Sequence, residues 1–365
     1  MHTPTTTKAV VIVAPGKAAV QEVPLPKLHD GYILVKVRAV GLNPTDWKSI
    51  HAPTAPAGAR SGCDYAGDVV EVGAGVDGRF GKGDRVAGMV FGGNPKQLDS
   101  GAFGEYIVAK QHLQIKIPDN ISYEEAATLG VSITTVSSPE PRAPPQGQGL
   151  YKKLGLPLPP AQDGRTILIY GGSTATGIYG IQFAKASGLR VVTTASPRNF
   201  DFLKALGADA VFDYNSPTCV RDIREYTGNE LRLVWDCVGA GEICATALSN
   251  SPSGPAPKYA HITKVKREEI EPINARIDGP HFTVGYDALG EPYNRMGVEH
   301  TPQADEADHA AMFWELVRKL LEAGDAVRPL RPTVNRGGSG LEGVLGGLEE
   351  LRAGRVSGGK LVYTL

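Results

Sequence analysis

From Thr166 onward the chain alternates short apolar runs with amphipathic helical windows, and no other feature restricts its fold as strongly. "TILIY", "RVVTTA", "AVFDY" and "RLVWDCVG" are rich in β-branched and aromatic residues. "GIYGIQFAKASG", "NFDFLKALGA" and "TCVRDIREYTG" separate them with helical patterning, and "KYAHIT" and "HFTVGYD" follow as weaker strands. Alternation at this spacing means βαβ units, hence a parallel sheet with helices on both faces.

Ahead of this region the texture is different. "AVVIVA", "YILVKVRAV", "AGDVVEVG", "GAFGEYIVAK" and "LQIKIP" are short strand-like runs divided by Gly, Pro and Asp, as in a small barrel or folded sheet. "SYEEAATLGVSITTV" then opens a helix with Ser122 as cap and Glu124 and Glu125 in its first turn. "SSPEPRAPPQGQG" interrupts it with four prolines and reads as an exposed loop. Late in the chain "HAAMFWELVRKLLEAGD" is an amphipathic helix, and "SGGKLVYTL" closes as a strand suited to rejoin the first domain.

The turn "YGGSTATG" follows the first strand of the alternating region and opens a helix, the context in which a glycine turn cradles phosphate. Gly172 and Gly177 take the first and third glycine positions of a dinucleotide fingerprint, and Thr174 replaces the middle one. Ser173, Thr174 and Thr176 are then expected to donate hydroxyl hydrogen bonds; a plain turn capped by Ser173 is the alternative. The next strand runs into "SPRNF" with Ser196, Arg198 and Asn199 and no acid where NAD sites carry one. A hydroxyl and a guanidinium suit the extra ribose phosphate of NADPH, although Ser-Pro-x-Asn is also a helix cap.

Composition excludes several classes. With 365 residues the chain suits two domains, and a formal net charge of −1 gives no bulk attraction for nucleic acid. No apolar run approaches the roughly 18 residues of a membrane helix, and no targeting segment is evident. A cytoplasmic protein is expected, with neither nucleic acid nor membrane as partner. Cys63, Cys219, Cys237 and Cys244 form no C-x-x-C pair and read as buried thiols.

The motifs "VKVRAVGLNPTDWK", "GCDYAGDVVEVGAGV", "GDRVAG", "GAFGEY", "EAATLGVSITTV" and "GGSTATG" resemble the medium-chain dehydrogenase/reductase superfamily. More narrowly, "GLNPTDWK", "YGGSTATG", "SPRNFDFLKALGADAVFDY", "LGLPLP" and "SGGKLV" resemble the trans-acting enoyl reductases of fungal polyketide synthases. The resemblance implies an α/β fold with a GroES-like β-barrel catalytic domain (1–125 and 305–365) and a Rossmann dinucleotide-binding domain (126–304). The Pro-rich insertion lies near 137–147. It implies NADPH as cofactor and reduction of the α,β-double bond of a polyketide thioester. The partner would be a polyketide synthase, including fused PKS-NRPS enzymes, with its acyl carrier domain; a monomer is expected.

Site residues follow from the same resemblance. "NPTDWK" places Asn43, Pro44, Thr45, Asp46 and Lys48 beside the nicotinamide and ribose, with Lys48 as the catalytic candidate; an Asp46–Lys48 surface pair is the alternative. The cofactor set continues with Gly172, Ser173, Thr174, Ala175 and Thr176, then Ser196, Pro197, Arg198 and Asn199. Tyr214 is either near the adenine or a core tyrosine, and Val356 and Ser357 would close over the cofactor. Gly130, Val131, Ser132, Ile133, Thr134 and Thr135 would line the substrate channel, with Thr283, Val284, Gly285, Tyr286 and Asp287 on another wall; an amphipathic helix whose threonines bond backbone carbonyls is the alternative for the first group.

Zinc is not expected. Gly62-Cys63-Asp64 stands where zinc-dependent members have Gly-His-Glu, no cysteine follows Phe91 in the region of their four-cysteine lobe, and Asp64 reads as bonding backbone in a turn. His261 lies in a segment that passes near the nicotinamide in relatives, yet carries no assigned role. Two other functions fit the same fold: a quinone or small-enone oxidoreductase, and a non-catalytic NADPH-binding scaffold.

Overall fold

The computed structural model describes residues 4–137, 164–302, 305–324 and 326–365. The expected insertion beyond residue 137 and "LGLPLP" lie outside these. The chain divides into two compact units. The first comprises Met1–Thr134, Tyr286–Ala323 and Pro329–Leu365; the second comprises Thr135–Gly285 and Gly324–Arg328. The residues after 285 thus belong with the first unit, ahead of the boundary expected at 304, because the segment packs on its strands: Lys110 Nζ donates to the Leu289 carbonyl (3.4 Å) and Lys110 pairs with Glu291 (2.6 Å).

In the first unit, strand Tyr32–Gly41 is the organising element. Its alternating Ile33, Val35 and Val37 enter the core. It pairs antiparallel with Asp64–Val72, with Tyr106–Lys110 and with the terminal strand Lys360–Thr364. The C-terminal segment therefore does return to the first unit. The core gathers Val10, Ile12, Val40, Tyr65, Phe103 and Leu361. The expected helix from Ser122 divides in two. Ser122 and Glu125 form a capping box on Tyr123–Ala126, and a second helix starts at Gly130 and runs to Val136.

Helix Gly340–Arg352 has no counterpart in the sequence expectations, because its glycines argue against helix. Packing explains two of them. A Cβ on Gly347 would lie 2.3 Å from the Tyr363 hydroxyl, and one on Gly343 2.9 Å from the same ring. The helix thus lies against the terminal strand at a distance only glycine allows. Gly346, by contrast, faces open space.

The second unit has the expected parallel sheet. Among the described residues its strand order is Ala210–Asp213, Arg190–Ala195, Thr166–Tyr170, Leu233–Asp236, Lys258–His261, Asp278–Phe282. Chain order reverses between Thr166–Tyr170 and Leu233–Asp236, and such switch points open ligand crevices at the carboxyl ends of the strands. Apolar residues of the inner strands, including Leu168, Val192 and Val234, are fully buried. Among the described residues no helix is long and apolar enough to cross a membrane.

Candidate active site

In the second unit the Thr166–Tyr170 strand ends at the switch point and feeds the glycine turn. Gly171 N–H donates to Thr194 Oγ1 (3.0 Å) and Gly172 N–H to the Thr194 carbonyl (2.9 Å), which ties the turn to the neighbouring strand. A Cβ on Gly172 would sit 2.0 Å from Thr193 Oγ1, and one on Gly177 2.4 Å from the Gly171 carbonyl oxygen. Both glycines are needed for close approach of strand, turn and helix.

Helix Ala175–Ala186 is capped by Thr174 rather than Ser173. Thr174 Oγ1 accepts from Gly177 N–H (3.0 Å) and donates to the Gly171 carbonyl (2.8 Å). The side chain at the missing glycine position is therefore spent on the turn itself, and its hydroxyl proton is withdrawn from the expected set of donors. Backbone groups replace it. Among the described residues the N–H groups of Ser173, Ala175 and Thr176 have no protein acceptor, and they stand at the positive end of the helix dipole. This arrangement fits a cofactor diphosphate.

At the end of the next strand, Pro197–Asn199 forms a short 3-10 turn, and Ser196 Oγ lies 3.0 Å from the Tyr214 hydroxyl. Tyr214 is exposed, so the core alternative for it does not hold. Arg198 is exposed and has no carboxylate partner among the described residues.

Asp236 was not expected at the site. It ends the strand beside Thr166–Tyr170 and accepts from the N–H groups of Val238 (2.9 Å), Gly239 (2.8 Å) and Ala240 (2.6 Å) and from the Tyr259 hydroxyl (2.7 Å). It thereby shapes a loop that touches the glycine turn, where a Cβ on Gly171 would meet Val238 at 2.8 Å. The acid of "VWDCVG" at a strand end was its available signal. His261 is buried between the rings of Tyr259 and Phe282, with Nδ1 against the Thr263 carbonyl and its pKa lowered by burial. Thr283 N–H donates to the His261 carbonyl (2.9 Å), while Val284 and Gly285 are half-buried and Thr135 is buried.

The first unit holds the other candidates. Helix Pro44–His51 begins with Pro44 at its N-terminus, and the Asp46 carboxylate reaches back to accept from Asn43 N–H (2.7 Å). Asp46 is buried and faces away from the exposed Lys48, so no Asp46–Lys48 surface pair exists. Its pKa is pushed up to about 7, chiefly by burial and next by the Asp64 carboxylate. A raised folded-state value means the folded chain keeps a proton that the unfolded chain has released. Stability from this group is full below about pH 4 and is lost as pH rises through about 7, a change of order 4 kcal/mol. Asp46→Asn keeps the capping oxygen and removes the titration. Urea unfolding at about pH 5 and about pH 8 should show that this drop in wild-type stability is absent in the variant.

Behind that helix lies a buried ion pair that bonds to Asn43. The Lys360 ammonium donates to the Asp64 carboxylate, to Asn43 Oδ1 (2.8 Å) and to the Thr128 carbonyl (3.3 Å), which uses all three of its protons. The other Asp64 oxygen accepts from Val131 N–H (2.7 Å), which anchors helix Gly130–Val136. Burial pushes the Asp64 carboxyl up, and Lys360 pulls it back. Asp64 does bond backbone, but from within a strand rather than a turn. In that helix the Thr134 hydroxyl bonds the Gly130 carbonyl (2.9 Å), Ser132 and Ile133 are buried, and Val131 is half-buried.

Tyr286, expected on a channel wall, is buried with its hydroxyl 2.8 Å from Thr45 Oγ1 and 3.4 Å from Cys63 Sγ. Asp287 accepts from the Tyr293 hydroxyl (2.7 Å). Val356 packs against the first unit's core and Ser357 is exposed. Among the described residues no three His, Cys, Asp or Glu side chains converge as metal ligands. Cys63, Asp46 and Asp64 offer no imidazole, and Asp64 already holds an ammonium, so the donors present do not fit zinc.

Residues 29–119 match the alcohol dehydrogenase GroES-like domain and 175–252 the zinc-binding dehydrogenase domain. The trans-enoyl reductase ACTTS2 of Alternaria alternata is 43% identical over 99% of both chains. The trans-enoyl reductase resD of Aspergillus sclerotiorum is 44% identical over 98% of this chain and 99% of its own. The chain belongs to the trans-enoyl reductases. With them it falls in the medium-chain dehydrogenase/reductase superfamily, as a GroES-like unit followed by a Rossmann unit. The fold is shared by the CurK enoyl reductase (TM-score 0.74, 18% identity, 98% and 99% coverage). It is shared also by mycobacterial Rv1454c solved with NADPH (TM-score 0.69, 21% identity, 98% and 100% coverage). For this trans-enoyl reductase, the glycine turn between strand and helix was legible in the sequence, and helix Pro44–His51 was not. Asp236 left only the signal of an acid at a strand end, and the link from Lys360 to Asp64 left no local pattern.

Proposed function

We propose that this chain is an NADPH-dependent, trans-acting enoyl reductase that reduces the α,β-double bond of a polyketide thioester carried on the acyl carrier domain of a polyketide synthase. The observation that carries the cofactor half is the phosphate turn, three of whose N–H groups have no protein acceptor among the described residues, followed one strand later by Ser196 and Arg198 in place of an acid, with the Tyr214 hydroxyl of the next strand end against Ser196. Full-length likeness to trans-enoyl reductases supports the substrate half.

Bound NADPH would supply the hydride for the β carbon. The chain's residues do the rest. Ser173, Ala175 and Thr176 N–H groups would hold the diphosphate, with Ser196, Arg198 and Tyr214 at the extra phosphate. Lys48 is only partly covered on its helix; that partial burial lowers its pKa first and Arg295 second. An ammonium so placed is suited to stabilise negative charge developing on the thioester oxygen as the β carbon accepts hydride. The α carbon of the resulting enolate then takes a proton from solvent, and the double bond is saturated.

Arg198→Ala should raise KM for NADPH roughly tenfold to a hundredfold and leave KM for NADH within about threefold. Steady-state assays with both cofactors check this, and equal effects on the two would remove Arg198 from the phosphate site. Reconstitution with a candidate synthase tests the whole proposal: saturated product in place of unsaturated supports it. Turnover of free quinone without turnover of the acyl thioester would point to the quinone reductase alternative.

A further inference from the structure

We propose that Ser251 is a phosphorylation site and that Arg224, Arg232 and Arg276 form the seat that receives its phosphate. The sequence around it is "LSNSPSGPAPKY", with Pro252 directly after the serine. Residues 250–257 join helix Gly241–Ala247 to strand Lys258–His261 without regular structure, and residues 252–256 are all exposed. A residue before proline is pushed toward extended backbone, and Pro252 has no N–H with which to pair the segment into a sheet. Ser251 therefore offers a half-buried hydroxyl, bonded to the Ser253 hydroxyl (2.8 Å), at the start of an open stretch. An accessible serine followed by proline is what a proline-directed protein kinase takes as substrate.

Three arginines from separate segments close on this loop. Arg224 of helix Cys219–Tyr226 donates from Nη2 to Asn250 Oδ1 (3.2 Å). Arg232 donates from Nη2 to the Ser253 carbonyl (3.0 Å) and from Nη1 to the Pro255 carbonyl (2.7 Å). Arg276 donates from Nη2 to the Gly254 carbonyl (2.9 Å). The approach is close, since a Cβ on Gly254 would lie 3.0 Å from Arg232 Nη2. Ser251 thus stands between a residue held by one guanidinium and a run held by the other two.

The charge at the loop is unbalanced. Arg232 pairs with Glu230 (2.8 Å), whereas among the described residues Arg224 and Arg276 have no carboxylate partner. Elsewhere this chain pairs arginines closely: Arg38 with Asp68 (2.7 Å), Arg318 with Glu315 (2.8 Å), Arg355 with Glu350 (2.7 Å). Arg276 Nη1 is moreover buried without an acceptor, a costly state. A phosphate on Ser251 brings roughly two negative charges and three acceptor oxygens into this surplus, and guanidinium forks match phosphate oxygens. In the transfer the kinase supplies ATP, whose γ-phosphoryl group forms a bond to Ser251 Oγ as its bond to ADP breaks; the hydroxyl proton leaves to the kinase's base. The new charge-assisted bonds tie the loop to the residues that lead into strands Leu233–Asp236 and Asp278–Phe282, so the modified second unit is harder to unfold.

The test uses the purified full-length chain. Incubation with ATP and a proline-directed kinase of the mitogen-activated class, followed by peptide mass spectrometry, should place a phosphate on Ser251. Ser196 and Ser216 also precede proline and serve as internal comparisons. The chain carrying phosphoserine at position 251 should melt roughly 3–6 °C above the unmodified chain at low salt. It should lose most of that gain in about 1 M sodium chloride, which screens the new contacts. Arg276→Leu should abolish the gain, and Arg276→Gln carries the same comparison if the leucine variant does not fold. No phosphate on Ser251, or phosphate only on Ser196 or Ser216, overturns the site. A melting temperature that phosphoserine leaves unchanged or lowers, or a gain that survives the loss of the Arg276 guanidinium, overturns the seat.

Discussion

Lys360→Met should lower the unfolding free energy by about 3–5 kcal/mol at neutral pH, measured by urea titration. The substitution leaves Asp64 fully buried with no cation beside it, and it strands Asn43 Oδ1 and the Thr128 carbonyl without their donor. Breaking one side of a buried pair costs far more than the pair contributes, because the remaining charge has neither water nor partner. Pairing Lys360→Met with Asp64→Asn should recover a large part of the loss, since no charge is then left buried. Activity should fall with stability, because the ammonium joins Asn43, which opens the Lys48 helix, to Asp64, which anchors helix Gly130–Val136. A loss under about 1 kcal/mol for Lys360→Met would show that this network does not organise the first unit.

The second large effect is expected at the phosphate turn. In most helices Gly→Ala stabilises by roughly 0.5–1 kcal/mol. At Gly177 the sign should reverse to a cost of about 1–3 kcal/mol, because the new methyl meets backbone that cannot rotate away: the Gly171 carbonyl at 2.4 Å and Gly172 Cα at 2.9 Å. Moving the turn also displaces the N–H groups of Ser173, Ala175 and Thr176, so NADPH affinity should weaken roughly a hundredfold. Gly346→Ala is the control, since it faces open space on helix Gly340–Arg352 and should show the ordinary gain. If Gly177→Ala stabilises the protein and binds NADPH as tightly as wild type, the turn is not a close-packed cradle.

Much of the architecture was legible in sequence because it rests on local periodicity. The alternation after Thr166 fixes strand and helix types, and "KLVYTL" reads as a strand free to rejoin the first unit, where it pairs with Tyr32–Gly41. The glycine turn was legible for the same reason: strand, glycines and helix start are contiguous. Its internal chemistry was not. Whether Thr174 donates to a ligand or caps its own helix depends on one rotamer, and the cap takes it. Helix Gly340–Arg352 was hidden by glycines that serve Tyr363, a residue of a different element. Lys360 and Asp64 lie far apart in the chain, so only the fold reveals that one neutralises the other.

The central proposal is hydride delivery from NADPH to a carrier-bound enoyl thioester. The direct measurement is mass spectrometry of an α,β-unsaturated acyl carrier protein incubated with the purified chain and NADPH deuterated at the transferable position. The expected result is a saturated acyl chain bearing one deuterium at the β carbon, formed with NADPH and far more slowly with NADH. An acyl chain that stays unsaturated while NADPH is bound, or saturation without deuterium at the β carbon, would contradict it.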